Sequence, residues 1–123
     1  MDKVKEVENA MDGIVTFKPS MNHQFGTSGL QGGVVASYRQ LVNLFGEPNS
    51  TGDEYKVSTE WILENKRGET VTLYDYKETN LYSSENPSIE EFRNLPNYIW
   101  HIGGSRQQQA DDLAKFIEFS LND

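Results

Sequence analysis

The sequence contains no cysteine. Disulfides, thiolate catalysis and cysteine-held zinc are therefore excluded. Histidine is scarce, with only His23 and His101, and their spacing resembles no metal motif. No metal or other cofactor is expected. No apolar run approaches the roughly 20 residues of a membrane span. The opening Met-Asp-Lys-Val-Lys-Glu has no apolar h-region of a signal peptide, so a cytoplasmic location is expected and no membrane partner. Positive charge is also short: 11 Lys and Arg stand against 19 Asp and Glu, a net charge of −8. Non-specific binding to DNA or RNA backbones is disfavoured by that balance. The same balance suits an acidic inhibitor that mimics nucleic acid towards a basic host protein. Hydrophobic residues make up only 36%, but six Phe, six Tyr and two Trp are more than a disordered chain carries. The 123 residues fit a single domain with one modest core. A short helix is expected over residues 2–11, then a core over about 13–121.

The densest local signal is residues 26–33, Gly-Thr-Ser-Gly-Leu-Gln-Gly-Gly, which hold four of the ten glycines. Glycine costs backbone entropy, so the cluster needs a reason. One reason is backbone N–H groups closing on an anion; the other is a sharply turning loop. The run is neither a P-loop nor G-x-G-x-x-G. Ser37 is placed to cap a helix over 38–45, with Tyr38, Leu41, Val42 and Phe45 as its apolar stripe. Gly46 and Pro48 end it. The order, glycine cluster then helix, would add the helix's free N–H groups and partial positive charge to an anion site. A second junction has the same form. His101-Ile102-Gly103-Gly104-Ser105 leads into a helix over 106–121 whose stripe is Ala110, Leu113, Phe116, Ile117 and Leu121. Both junctions can equally be ordinary strand–helix turns.

Residues 13–17 form a β-branched run that Pro19 is expected to stop. Residues 55–66 alternate, with Tyr55, Val57, Thr59, Trp61 and Leu63 on one face. Arg67-Gly68 is a hairpin turn. The return strand over 70–76 sets Val71, Leu73 and Asp75 against Thr70, Thr72, Tyr74 and Tyr76. Residues 77–87 are polar and loop-like. Ser88 to Glu91 matches a capping box for a short helix, and residues 98–102 form a last strand. The pattern predicts an α+β fold, a mainly antiparallel sheet of about four strands with two main helices.

Tyr74 and Tyr76 share a polar-aromatic face suited to stacking a nucleobase, although strand aromatics such as Trp61 and Trp100 also fill cores. His101 is a candidate for phosphate contact or acid–base work, or is structural. Arg39, Lys56, Lys66, Lys77 and Arg106 offer local positive charge. Ser28 has no G-x-S-x-G context and the acids show no catalytic spacing. A weak phosphodiesterase is the lesser alternative, and no enzyme is expected.

Several blocks recur together: Gly26-Thr27-Ser28 with Leu30-Gln31-Gly32; Tyr38, Leu41-Val42 and Phe45-Gly46-Glu47-Pro48; Tyr55-Lys56-Val57 with Glu60-Trp61; Tyr74-Asp75-Tyr76-Lys77; and Trp100-His101-Ile102-Gly103-Gly104. In this order they resemble a family of small tailed-phage proteins also seen in some large viruses. The resemblance spans about residues 25–105. Two departures are visible: Gly29 is inserted after Ser28, and Gly33 stands where the family usually has an aromatic. The family is associated with viral sponges that counter cyclic-nucleotide (CBASS-type) immunity by binding second messengers without cleavage, commonly as homo-oligomers. The resemblance thus implies a cyclic di- or trinucleotide ligand. Chemistry and matched position together nominate Gly26, Thr27, Ser28, Gly29, Leu30, Gln31, Gly32, Tyr74, Tyr76, Trp100, His101, Gly103, Gly104, Ser105 and Arg106 as ligand contacts.

Overall fold

The computed structural model describes residues 13–20 and 29–122. The helix expected over 2–11 lies outside them. The fold is α+β. Its strands are β1 (Phe17–Pro19), β2 (Gly29–Ala36), β3 (Glu60–Asn65), β4 (Thr70–Tyr74) and β5 (Tyr98–Gly104). Its helices are α1 (Tyr38–Phe45), α2 (Ile89–Arg93) and α3 (Gln107–Asn122). The five strands run in the order β1-β3-β4-β5-β2, with every neighbouring pair antiparallel. One strand beyond the expected four comes from the glycine cluster.

The helices cover one face of the sheet. Trp61, Leu63, Val71, Leu73, Trp100 and Ile102 point into the core, where Leu41, Phe45, Phe92, Leu113, Phe116 and Ile117 meet them. The expected stripe of α3 is buried at Ala110, Leu113, Phe116 and Ile117, and Leu121 packs at its margin. Phe116 sits between Phe17 and Phe45, with ring centroids 6.2 and 6.1 Å away. Ser37 caps α1 as expected, and Gln40 completes a capping box. Ser88 and Glu91 form the second box, at α2. Gly46, at φ 84°, closes α1 through its N–H to the Val42 carbonyl.

Several expected boundaries move: the first strand, expected over 13–17, shares only Phe17 with β1, and the last strand runs on to Gly104. Pro19 belongs to β1 instead of ending it. The strand lies at a sheet edge, where a proline's lack of an N–H is tolerated. The strand expected from residue 55 begins only at Glu60. Asp53 Oδ1 accepts the N–H groups of Tyr55 and Val57 at 2.9 and 2.8 Å, so residues 53–57 curl locally and leave the ladder. The return strand stops at Tyr74 because Asp75 turns inward. Its side chain is fully buried and accepts from Ser58 N–H (2.8 Å), Thr59 N–H (2.8 Å) and Ser58 Oγ–H (2.5 Å).

Asp75 thus binds the start of β3 to the end of β4. Asp75→Ala would leave these donors without an acceptor, and we expect a loss of about 2–4 kcal/mol in urea unfolding. Asp75→Asn retains one acceptor oxygen and should lose less. Equal stability of all three proteins would show that water replaces the carboxyl group.

Candidate functional site

The two glycine segments do meet, but as paired strands. Gly29 lies opposite Gly104 and Leu30 opposite Gly103, and a bulge between Leu30 and Gly32 precedes a regular ladder to Ala36 and Tyr98. Residues 29–33 are thus strand where a loop was expected; Gly26, Thr27 and Ser28 lie outside the described residues. The reason is packing. A Cβ at Gly32 would stand 3.2 Å from Ala110 Cβ on α3, and one at Gly104 would stand 3.0 Å from Gln109 Oε1. Glycine here admits the helix to the ribbon.

The second junction is also engaged internally. Gln109, itself buried, accepts from Ser105 N–H, Ser105 Oγ–H and Arg106 N–H at 3.1, 3.2 and 3.2 Å. The N–H groups of the two residues that lead into α3 are therefore held by a side chain from the first turn of that helix. Ser105 donates to Gln109, whereas a capping serine would accept. Gln31 Nε2 donates to the Gly104 carbonyl at 3.3 Å. Arg106 is ion-paired with Glu69, which Arg67 also contacts at 3.3 Å. The Asn65 hydrogen bond, with Arg67 and Arg106 beside it, holds the Glu69 carboxyl below the usual range. Trp100 is 1% exposed, with its Nε1–H on the Ala36 carbonyl at 2.9 Å, so it belongs to the core.

The rest of the expected set assembles on the other face of the sheet. Glu60, Tyr74, His101 and Gly33 are successive cross-strand neighbours across β3, β4, β5 and β2. Tyr74 and His101 stack with centroids 5.6 Å apart and planes 29° apart. Tyr76 meets the imidazole edge-on at 6.0 Å. His101 makes these ring contacts and one with Tyr98 at 6.2 Å. Lys77 follows with φ 60°, a left-handed conformation uncommon for a non-glycine residue. Its backbone is held by the Lys56 carbonyl (2.6 Å) and by Asn86 Nδ2 (2.9 Å). The Lys77 ammonium lies 5.1 Å from the Tyr76 ring and 5.0 Å from the Tyr82 ring. Tyr55 continues the row at 5.3 Å from Tyr82.

Lys77 was one of five cations that the sequence nominated; its position between two rings came from a loop whose turns carry no simple periodicity. A cleft on the helix-covered side was not foreseen at all. Tyr38, Val42, Glu47, Ile89 and Arg93 line it, with a volume of about 610 Å³. Its tyrosine read as part of an apolar stripe, and its arginine follows the short helix predicted from Ser88 and carried no signal of its own. Among the described residues no group of acids and histidines is disposed to hold a metal ion, and no helix is long and apolar enough to cross a membrane. Compared with known proteins, the sequence matches no family model and no curated protein.

Two expectations follow. Gly104→Ala would press on Gln109 Oε1 and disturb the cap of α3, whereas a Cβ at Gly29 meets nothing closer than 4.0 Å. Gly104→Ala should cost about 1–3 kcal/mol in urea unfolding and Gly29→Ala close to nothing. A large loss at Gly29 would indicate a second constraint on that residue.

Glu60 supplies a pH test. Burial, followed by the charges of Asp53 and Asp75, pushes its carboxyl above the usual range despite the Ser50 hydroxyl 2.6 Å away. The folded chain then holds this proton at higher pH than the unfolded chain, so stability falls as pH rises between the two pKa values. Glu60→Gln should gain more over the native protein at about pH 7 than at about pH 4. A gain that is the same at both pH values would mean that Glu60 titrates alike in both states.

Proposed function

We propose that the chain sequesters a cyclic di- or trinucleotide second messenger without cleaving it, in the manner of the viral sponges its motifs resemble, and so blocks host antiviral signalling. The observation that carries this is the aromatic row on the open face of the sheet. Tyr74 stacks on one flank of His101. On the other flank the cross-strand neighbour is Gly33, which is exposed and has no side chain. Val35 and Ile99, paired across the strands and 54% and 64% exposed, flank the same spot. A nucleobase can extend the stack there, between two apolar side chains. Stacking of this kind contributes about 1–3 kcal/mol per base. Lys77 supplies a cation beside the row. Among the described residues His101 is engaged with rings and with no carboxylate, which favours a stacking role over proton transfer.

The proposal moves the ligand away from the glycine junctions, where residues 29–36 pair with β5 and Ser105 and Arg106 donate to Gln109. It includes assembly of several copies. The outer side of β2 is a sheet edge, and Leu30 stands 61% exposed along it. Such an edge is a template for pairing with a second strand. The acidic-inhibitor alternative rests on the net charge of −8 and calls for a basic protein partner whose binding weakens steeply with salt.

The test is depletion. Purified protein is incubated with a panel of cyclic di- and trinucleotides, the free nucleotide is measured, and the protein is then denatured. Recovery of intact nucleotide is expected. Cleaved product would replace the sponge with an enzyme, and no depletion would remove both. His101→Ala should weaken capture by about 5- to 150-fold, while His101→Phe retains most of it.

A further inference from the structure

The helix-covered side carries a second feature that the nucleotide proposal does not use. Arg93, at the end of α2, is half-buried. Its guanidinium lies 4.7 Å from the centroid of the Tyr38 ring. Nε and Nη2 both donate to Thr59 Oγ1, at 3.2 and 3.1 Å. Thr59 is fully buried and fixed by Asp75, so the guanidinium is aimed from behind by rigid groups. An arginine has five N–H donors. Two go to Thr59, and the remaining three, on Nη1 and the outer side of Nη2, have no acceptor among the described residues. No carboxylate among them forms an ion pair with Arg93.

These free donors belong to a residue that lines two adjoining lobes, of about 610 and 660 Å³. Glu47 lines both as well, but its Oε2 accepts the Tyr38 hydroxyl at 2.9 Å. Burial, with that hydrogen bond second, keeps the Tyr38 phenol above its ordinary range, so Tyr38 remains a neutral platform at physiological pH. Arg39 and Glu90 also line the first lobe and balance each other in charge, while Val42 and Ile89 give it apolar surface.

We infer that this cleft is a binding site for an oxyanion, a carboxylate or a phosphate, carried on a small partly apolar molecule. The oxyanion would take two parallel hydrogen bonds from Nη1 and Nη2, the end-on fork of a guanidinium. Tyr38 and Thr59 hold that fork in place before the ligand arrives, which lowers the ordering cost of binding. The apolar part of the ligand lies along Val42 and Ile89. The site is separate from the aromatic row, and either can fail without the other.

The test uses the native chain, labelled with ¹⁵N and with ¹³C in its methyl groups. Sodium phosphate and sodium acetate are titrated separately, with sodium chloride at matched ionic strength as reference. The inference expects a saturable shift of the Arg93 Nε–Hε signal with at least one of the two oxyanions, accompanied by the methyls of Val42 and Ile89. Which anion acts identifies the source of the charge. Arg93→Lys, which keeps the charge and removes the fork, should weaken binding by about tenfold or more. Shifts no larger than those with chloride, saturable shifts confined to other residues, or undiminished binding by Arg93→Lys would each overturn it.

Discussion

The pairing of β2 with β5 is the constraint from which most of this structure follows. It aligns residues 29–36 against 98–104 and brings the two glycine-rich segments side by side. Because Gly32 and Gly104 carry no Cβ, α3 can lie against the ribbon, with Ala110 and Gln109 in the space a side chain would fill. The bulge before Gly32 sets the phase of the ladder beyond it. That phase turns Val34, Ala36, Trp100 and Ile102 into the core and leaves Gly33, Val35, Ile99 and His101 on the opposite face. A shift by one residue would bury the imidazole and expose the tryptophan.

The two indoles then tie the sheet to α1. Trp100 Nε1–H donates to the Ala36 carbonyl just before the helix, and Trp61 Nε1–H to the Gly46 carbonyl just after it, at 2.9 and 2.8 Å. The tryptophans contact each other edge-to-face at 5.5 Å. Each therefore fills the core and donates to a backbone carbonyl at one end of the same helix, the one from Trp100 in a buried bond. Tyr38, in the first turn of α1, packs on Trp61 at 5.7 Å and carries the Arg93 guanidinium on its ring. The cleft is thus positioned by the core: moving Trp61 would move Tyr38, and with it the fork of Arg93.

What could be read from the sequence follows from how local each signal is. The capping boxes at Ser37 and Ser88, the Gly46 stop, the stripe of α3 and the 67–68 turn each depend on residues within a few positions of one another, and they stand as expected. The alternation across 70–76 separates Val71 and Leu73, which face the helices, from Tyr74 on the other face. The glycine cluster misled because glycine density fits a loop and a closely packed ribbon equally well. Only the distant Ala110 and Gln109 decide between them. Asp53 and Asp75 shortened two strands through side-chain hydrogen bonds that hydrophobic periodicity does not register. The Tyr74–His101 stack was half visible, since both residues were nominated but their adjacency depends on the β4–β5 register.

The net charge of −8 makes the treatment of cations informative. In an acidic chain, an arginine or lysine is most readily placed beside a carboxylate, as Arg67 and Arg106 are beside Glu69. Lys77 and Arg93 are placed otherwise. Each lies over tyrosine rings and, among the described residues, forms no ion pair. A ring attracts the cation without consuming its N–H donors in hydrogen bonds to an oxygen. It also excludes water from one side, which strengthens whatever charge the other side meets. The long-range field of the chain repels anions, but it is screened beyond about 8–10 Å at physiological salt. Contacts within a few ångströms are not. An acidic surface that discourages polyanions and two ring-held cations that keep free donors are therefore compatible. Both proposed sites call for a small anionic ligand, which needs only one such cation, whereas an extended nucleic acid must satisfy a whole row of phosphates.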